Sequence, residues 1–429
     1  MLVKRRLIGA VFLALPTWVS AQSITQSINL EDLIQRALVS HPNIAFASGK
    51  LKAAQTDVLA SKLQFLPSIS ASTQRNSVQY DGGSLAGGQI PSTTLTATQP
   101  LYGGGLIAGY RKAKANLKAS DYAMLESMNQ VKMGVITNYS SWLNAYNKII
   151  ALEESYQTYK NYVEKINHRF LAGTSSSAEE NLAKTRLLQA GNDLLSAKQE
   201  EDLALQKLSR DVGEPILRAQ LTQKIAKPVP VKSCTDVVDD AVRISPSLHQ
   251  FELEIEASKQ AANQSKEQAF PQVNLQAQRQ IGSATTPGWP GFTSLGLVLQ
   301  YSPGAAGIGN YIASSGAYEK AKASEFQYSA AEMNLKNSVS AECSRYQSAQ
   351  LRSGEMGQIL RLTNDVGQSN DRLYEAGRKN LLELLNNLRE KNQIQIAHIE
   401  NQSALLESSW KLSVYTDESA LGQLTTSDD

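Results

Sequence analysis

An internal duplication constrains the fold of this chain more than any other feature of its sequence. Residues 32–75 align over residues 236–279 without a gap, at a constant offset of 204 positions and with ten identities in 44 positions. Both prolines of the first segment fall on prolines of the second, Pro42 on Pro246 and Pro67 on Pro271. The offset also brings Gly173 onto Gly377. We therefore expect one structural unit built twice, as a first repeat over 22–231 and a second over 232–416.

Each repeat has the same predicted order of elements. A polar amphipathic helix, Leu30–Gln64 or Asp236–Gln268, is followed by proline and then by a hairpin, 66–102 or 270–303. The next helix is very long, because residues 106–171 and 311–375 contain no proline. At about 1.5 Å per residue, such a helix spans about 100 Å. A return helix closes each repeat, at 177–212 and 380–415.

The return helix of the first repeat has a seam of small and apolar residues. Its members step by three and four positions, as in a coiled coil, with Glu201 filling one gap. They are Ala183, Leu187, Ala190, Leu194, Ala197, Ala204 and Leu208. We interpret this seam as helical core.

The hairpins alternate apolar and polar residues with a period of two, which is typical of strands. In the second repeat Val273 and Leu275 alternate with Gln272, Asn274 and Gln276. Turns rich in Gly and Pro separate the strands, at 81–88 and 283–291. An apolar face opposite a polar one is typical of a membrane β-barrel. The residues predicted to face lipid are Ile69, Leu95, Val273, Leu275, Leu295 and Leu297.

Four strands cannot close a barrel. Open strand edges in hydrocarbon leave backbone groups unpaired, at several kcal/mol each. We therefore expect several subunits to combine their strands, which makes the chain an oligomer.

The first 21 residues have the layout of a secretory signal peptide. Lys4, Arg5 and Arg6 precede a short apolar stretch, and small residues precede Gln22. Without those three basic residues the formal charge falls from +2 to −1. A near-neutral chain argues against nucleic acid as a partner. We expect 1–21 to be removed, and 417–429 to form a short C-terminal tail.

No catalytic, cofactor-binding or metal-binding motif stands out, so we predict that the chain is not an enzyme and needs no cofactor. The four histidines lack ligand spacing, and no phosphate-binding or nucleophile motif occurs. The two cysteines, Cys234 and Cys343, fall at similar predicted depths, about 54 and 57 Å below the barrel. An exported chain enters an oxidising compartment, which permits disulfides. Either a bridge or two separate thiols packed as small apolar residues fits the sequence.

Two kinds of motif resemble the TolC family of outer-membrane factors. The segment 99–105, Gln-Pro-Leu-Tyr-Gly-Gly-Gly, lies where a strand passes into a helix, as in that family. Phe170-x-x-Gly173 and Tyr374-x-x-Gly377 are similar to its paired hairpin tips. The resemblance covers residues 28–415. It implies a mainly α fold with membrane β-strands, in which a homotrimer builds a twelve-stranded barrel above a tunnel of long periplasmic coiled-coil helices.

The resemblance also implies a gate at the periplasmic tips. By position, Glu179 would bond to Tyr374 and Lys379, where the family has arginine in the last place. Because lysine cannot form a bidentate ion pair with a carboxylate, we expect a weaker contact between the two tips. Glu383 matches one acidic ring of the entrance, whereas Asn386 replaces the acid of the other.

The resemblance implies a passive conduit in the outer membrane of a Gram-negative bacterium, with a large periplasmic portion. Its partners would be a periplasmic adaptor, an inner-membrane ABC or proton-driven transporter, and outer-membrane lipid. We favour type I protein secretion because residues 376–390 look more like the secretion branch. Small-molecule efflux is the alternative, and a periplasmic adaptor or coiled-coil scaffold outside the membrane is an alternative of a different class.

Overall fold

A computed structural model describes residues 28–76, 90–222, 228–229, 231, 233–282, 290–302 and 309–418. The first repeat contains α1 (Leu30–Ser40), α2 (Pro42–Leu63), β1 (Ser68–Asn76), β2 (Ile90–Tyr102), α3 (Leu106–Leu171) and α4 (Ser177–Val212). The second contains α5 (Cys234–Ile244), α6 (Pro246–Glu267), β3 (Gln272–Ile281), β4 (Phe292–Gln300), α7 (Gly309–Glu375) and α8 (Leu381–Tyr415). The predicted signal peptide 1–21, the turn 81–88, most of the turn 283–291 and the tail from 419 lie outside the described residues.

The first helix of each repeat is divided in two, which corrects the single helices expected over Leu30–Gln64 and Asp236–Gln268. Between α1 and α2, His41 has extended backbone angles, φ −68° and ψ 130°. Ser245 has the same role between α5 and α6, with φ −60° and ψ 116°. The following proline causes both breaks, because its ring disfavours helical angles in the preceding residue. Proline then occupies the first position of the next helix, where its missing N–H costs nothing.

The long helices form the body of the molecule. α3 has 66 residues and packs along α4, α2, α6 and α8, while α7 has 67 residues and packs along α6 and α8. The predicted seam of α4 faces α3, and its Ala183, Ala190 and Leu208 are buried. Glu201 is only 4% exposed in this seam. Its Oε1 lies 3.0 Å from Arg218 Nε, but burial outweighs this ion pair and raises the pKa of Glu201.

The largest apolar core surrounds Trp142, at the middle of α3. Trp142 is fully buried and contacts the rings of Tyr139 and Tyr146, at centroid distances of 5.6 and 5.5 Å. Trp410 of α8 lies 5.9 Å from Tyr139. Residues of α1, α4 and α8 complete this cluster. The core therefore joins elements of both repeats at one level of the helical body.

The two hairpins form one antiparallel sheet in the order β1-β2-β3-β4. β2 pairs with β3, so the repeats are joined through the sheet as well as through the helices. Of the helices in the described ranges, none combines the length and apolarity needed to cross a bilayer.

Candidate functional site

The register of the sheet places the six residues predicted to face lipid on one face. Leu275 pairs with Leu297, and Ala277 pairs with Leu295. Across the inner pair of strands, Ala97 pairs with Ala277. Since residues two apart on a strand share a face, Ile69, Leu95 and Val273 belong to the same set. The face they form is exposed, with Leu297 at 69% of its free surface.

The opposite face is polar almost throughout. It carries Gln272, Asn274, Gln276, Gln278 and Gln280 of β3, and Thr94, Thr96 and Thr98 of β2. A polar face can line water while the apolar face contacts hydrocarbon. The sheet therefore has the two-sided character of a barrel wall.

The two outer strands, β1 and β4, each present an edge. In the described part of the chain each pairs with one neighbour only. An edge of nine residues cannot enter hydrocarbon unpaired, because each free backbone group costs several kcal/mol. Further strands must cover both edges before the apolar face can contact lipid.

Three glycines make the passage from β2 into α3. Gly103, Gly104 and Gly105 have φ of 91°, 71° and 74°, a left-handed region that side chains disfavour. A Cβ at Gly105 would also lie 2.8 Å from the carbonyl oxygen of Gln264 in α6. The motif 99–105 thus allows the turn to pack against the neighbouring repeat.

The first helical tip lies between α3 and α4. Gly173 has φ of 73° and ends α3, and Ser176 caps α4 together with Glu179. Ser175 Oγ donates to Glu179 Oε2 at 2.6 Å, and the Ser176 N–H donates to the same oxygen at 3.1 Å. These hydrogen bonds lower the pKa of Glu179. Its carboxylate is therefore engaged in capping its own helix.

The second tip lies between α7 and α8. Gly377 has φ of 71°, and Asn380 caps α8 through the N–H of Glu383 at 2.8 Å. Lys379 Nζ donates to Asn370 Oδ1 at 2.7 Å and lies 3.5 Å from Glu383 Oε2. Lys379 is thus held within its own hairpin. Asn386, the other predicted entrance residue, is half-buried further along α8.

A different set of contacts joins the two tips. Tyr162 donates to Asp371, and Lys165 Nζ lies 3.1 Å from Glu375 Oε1. The Arg169 guanidinium lies 4.9 Å from the centre of the Tyr374 ring. Burial, and then the bond to Asp371, raise the pKa of Tyr162. We name Tyr162–Asp371, Lys165–Glu375 and Arg169–Tyr374 the tip contacts.

Of the predicted gate residues, only Tyr374 takes part in the tip contacts. In the described part of this chain, no hydrogen bond joins Glu179 to Tyr374 or to Lys379. Burial raises the pKa of Tyr374, and the Arg169 guanidinium opposes that rise. The same guanidinium adds a smaller effect to the hydrogen bonds that lower the pKa of Glu179. Sequence reasoning missed Tyr162, Lys165 and Arg169. These three residues are three and four positions apart, which places them on one face of α3. That spacing was the signal in the sequence that could have identified them.

The two cysteines are joined in a disulfide between the start of α5 and the middle of α7. Their Cα atoms are 5.9 Å apart, and 109 residues separate them in sequence. Val237, Val339 and Leu412 pack around the bridge. The bond therefore connects α5 to α7 inside an apolar cluster.

Comparison with known proteins shows which proteins this chain resembles. The model for the outer membrane efflux protein family matches residues 33–214. The outer membrane protein VceC of Vibrio cholerae has the same fold, with a TM-score of 0.76, 17% identity, and coverage of 90% of this chain and 96% of that one. The fold of this chain is that of the solved outer-membrane channel.

Two curated proteins that this chain resembles come from Pseudomonas aeruginosa. The pyoverdine export outer membrane protein OpmQ is 22% identical over 276 residues, which are 59% of this chain and 56% of OpmQ. The alkaline protease secretion protein AprF is 24% identical over 191 residues, 43% of this chain and 39% of AprF. The matches thus span about half or less of each relative. Family and structural neighbours are channel and export proteins rather than enzymes.

Proposed function

We propose that three copies of this chain form a channel-tunnel that passively conducts cargo from an inner-membrane transporter and its periplasmic adaptor to the outside. The observation that carries this proposal is the sheet. It has one apolar face, one polar face and two uncovered edges, and it continues directly into helices about 100 Å long. Three such sheets would give twelve strands, within the range of known membrane barrels.

Mass measurement and conductance test the assembly together. Mature protein purified in detergent is expected to have the mass of a trimer and to produce uniform conductance steps in planar bilayers. A monomer that produces no steps, and that fractionates with soluble or inner-membrane proteins, would instead support a periplasmic adaptor or coiled-coil scaffold.

For the cargo we propose protein, exported by a type I secretion system. The likeness to AprF, named for protease secretion, supports this assignment. Small-molecule efflux is the second candidate, favoured by the description of the matching family and by the likeness to OpmQ, named for pyoverdine export. Both cargoes need the same duct, so the transporter and adaptor that join it decide between them.

Deletion of the gene separates the two cargoes. We expect one or more proteins to disappear from the culture medium, with unchanged susceptibility to antibiotics and dyes. A complemented strain controls for effects on neighbouring genes. Increased susceptibility with a normal set of secreted proteins would assign the duct to efflux.

We propose that the tip contacts hold the tunnel entrance closed. Tyr162→Phe combined with Asp371→Asn removes a hydrogen bond to a carboxylate, worth about 1.5–3 kcal/mol. If this hydrogen bond stabilises only the closed state, its loss should raise the ratio of open to closed tunnels about 10- to 150-fold. We therefore expect higher single-channel conductance in planar bilayers.

A second pair of substitutions tests the lock implied by the family resemblance. Tyr374→Phe keeps the ring beside Arg169, and Lys379→Ala removes a bond within one hairpin. We expect this pair to raise conductance less than the first pair. A larger increase in conductance from the second pair than from the first would instead show that Glu179, Tyr374 and Lys379 keep the entrance closed.

A further inference from the structure

The only charged side chains in the four described strands are two arginines, Arg75 on β1 and Arg279 on β3. The offset of 204 that relates the repeats places one on the other, together with the preceding glutamine. The two hairpins otherwise differ at most positions. Both copies of the strand thus carry one positive charge, and they carry it at the same place.

Both arginines lie on the apolar face. Arg279 of β3 pairs with Leu95 of β2, and Leu95 pairs with Ala71 of β1. Arg75 lies four residues beyond Ala71 on β1. Even numbers of residues separate them from Ile69 and Leu275, so all share one face. Both side chains are exposed. Arg279 donates to Thr293 Oγ1 on the same face at 2.7 Å.

Both arginines lie near the same end of the sheet. β1 and β3 run in the same direction, because each pairs antiparallel with β2. Arg75 is one residue from the end of β1 (Ser68–Asn76).

That end of the sheet is remote from the helices. Arg279 is two residues from the outer end of β3, which has ten residues. The other end carries exposed aromatic rings, Tyr102, Phe270 and Tyr301, next to the helices. Aromatic residues of this kind mark a membrane–water interface. With the helices in the periplasm, the arginines therefore lie at the level of the outer leaflet.

We propose that Arg75 and Arg279 bind the phosphate groups of lipid A, the anchor of lipopolysaccharide, on the outer surface of the barrel. This inference rests on the proposed trimeric channel. Arginine on a lipid-facing surface is costly unless its guanidinium reaches the headgroups and is paired there. The planar fork of the guanidinium matches phosphate oxygens in a bidentate arrangement. In the described part of the chain no carboxylate forms an ion pair with either arginine.

The test compares lipid retention by delipidated trimers of the mature chain, measured by native mass spectrometry. The probes are bis-phosphorylated lipid A, dephosphorylated lipid A and phosphatidylglycerol, at equal molar ratio. We expect the unmodified trimer to retain lipid A at least about tenfold better than either other lipid. Arg75→Gln with Arg279→Gln should abolish that preference, while Arg75→Lys with Arg279→Lys should keep part of it.

A matched control removes the same number of charges at the other end of the sheet. Lys62 and Lys266 are also equivalent under the offset of 204, and both are exposed on the helices just below the strands. Lys62→Gln with Lys266→Gln should leave lipid A retention unchanged. Equal retention by the arginine variant and the unmodified trimer would overturn the proposal, and so would equal retention of phosphatidylglycerol or of dephosphorylated lipid A.

Conductance in planar bilayers separates this inference from the proposed function. We expect the arginine variant to keep the unmodified conductance, since neither residue lines the polar face. An unmodified protein that forms no trimer and no pore would refute the channel itself. A conducting trimer without lipid A preference would refute only the lipid site.

Discussion

Leu275→Arg and Leu297→Arg are each expected to destabilise the assembled barrel by about 2–4 kcal/mol per site. These residues pair directly across β3 and β4 on the apolar face. They lie between the aromatic end of the sheet and Arg279, so a new charge there falls near the middle of the hydrocarbon. A charged side chain on a lipid-facing strand costs most at that depth. The measurement is the denaturant midpoint of trimers folded into vesicles.

Gln276→Arg is the matched control for this prediction. Gln276 lies on the polar face and pairs with Gly296. Apart from Gly296 and its two chain neighbours, no described residue has an atom within 4 Å of the place that a Cβ on Gly296 would occupy, so a longer side chain on Gln276 has space. We expect trimer stability close to that of the unmodified protein. Equal losses at all three positions would contradict the assignment of the two faces.

Reduction of the bridge between Cys234 and Cys343 is expected to destabilise the chain by about 2–5 kcal/mol. The bond closes a loop of 109 residues, and a cross-link of that length restricts the unfolded chain strongly. Urea unfolding of the same preparation with and without dithiothreitol gives the comparison. We expect a lower midpoint in the reduced protein.

Labelling and substitution provide the controls for the bridge. A thiol reagent should label neither cysteine in denatured, unreduced protein, and both after reduction. Cys234→Ala with Cys343→Ala should unfold like the reduced protein and should not respond to dithiothreitol. Identical midpoints for oxidised and reduced protein would show that the bond does not contribute to stability.

Much of the fold could be predicted from local pattern. A period of two reveals which residues share a face of a strand, and the offset of 204 reveals that the elements occur twice. The breaks at His41 and Ser245 were predictable in principle, because proline restricts the residue before it. They were missed since the apolar pattern continues across them and proline is tolerated in the first turn of a helix.

The contacts between the helical tips could not be predicted in the same way. Position in the sequence determines how far along its helix a residue lies, so Cys234 and Cys343 could be placed at similar depths. It does not determine which side of a helix faces which neighbour, because that angle depends on packing along the whole length of α3 and α7. This packing brings Tyr162 and Asp371 into contact although they are 209 positions apart in sequence.

The disulfide also breaks the equivalence of the two repeats. By the offset of 204, Cys234 corresponds to Leu30 and Cys343 to Tyr139, which belong to one apolar cluster without a covalent bond. The first helix of a repeat is therefore bonded covalently to the long helix in one half of the chain and held by packing alone in the other. In a ring of three subunits, cross-linked sectors would alternate with sectors that are not cross-linked. Any widening of the tunnel at this level should then follow threefold rather than sixfold symmetry.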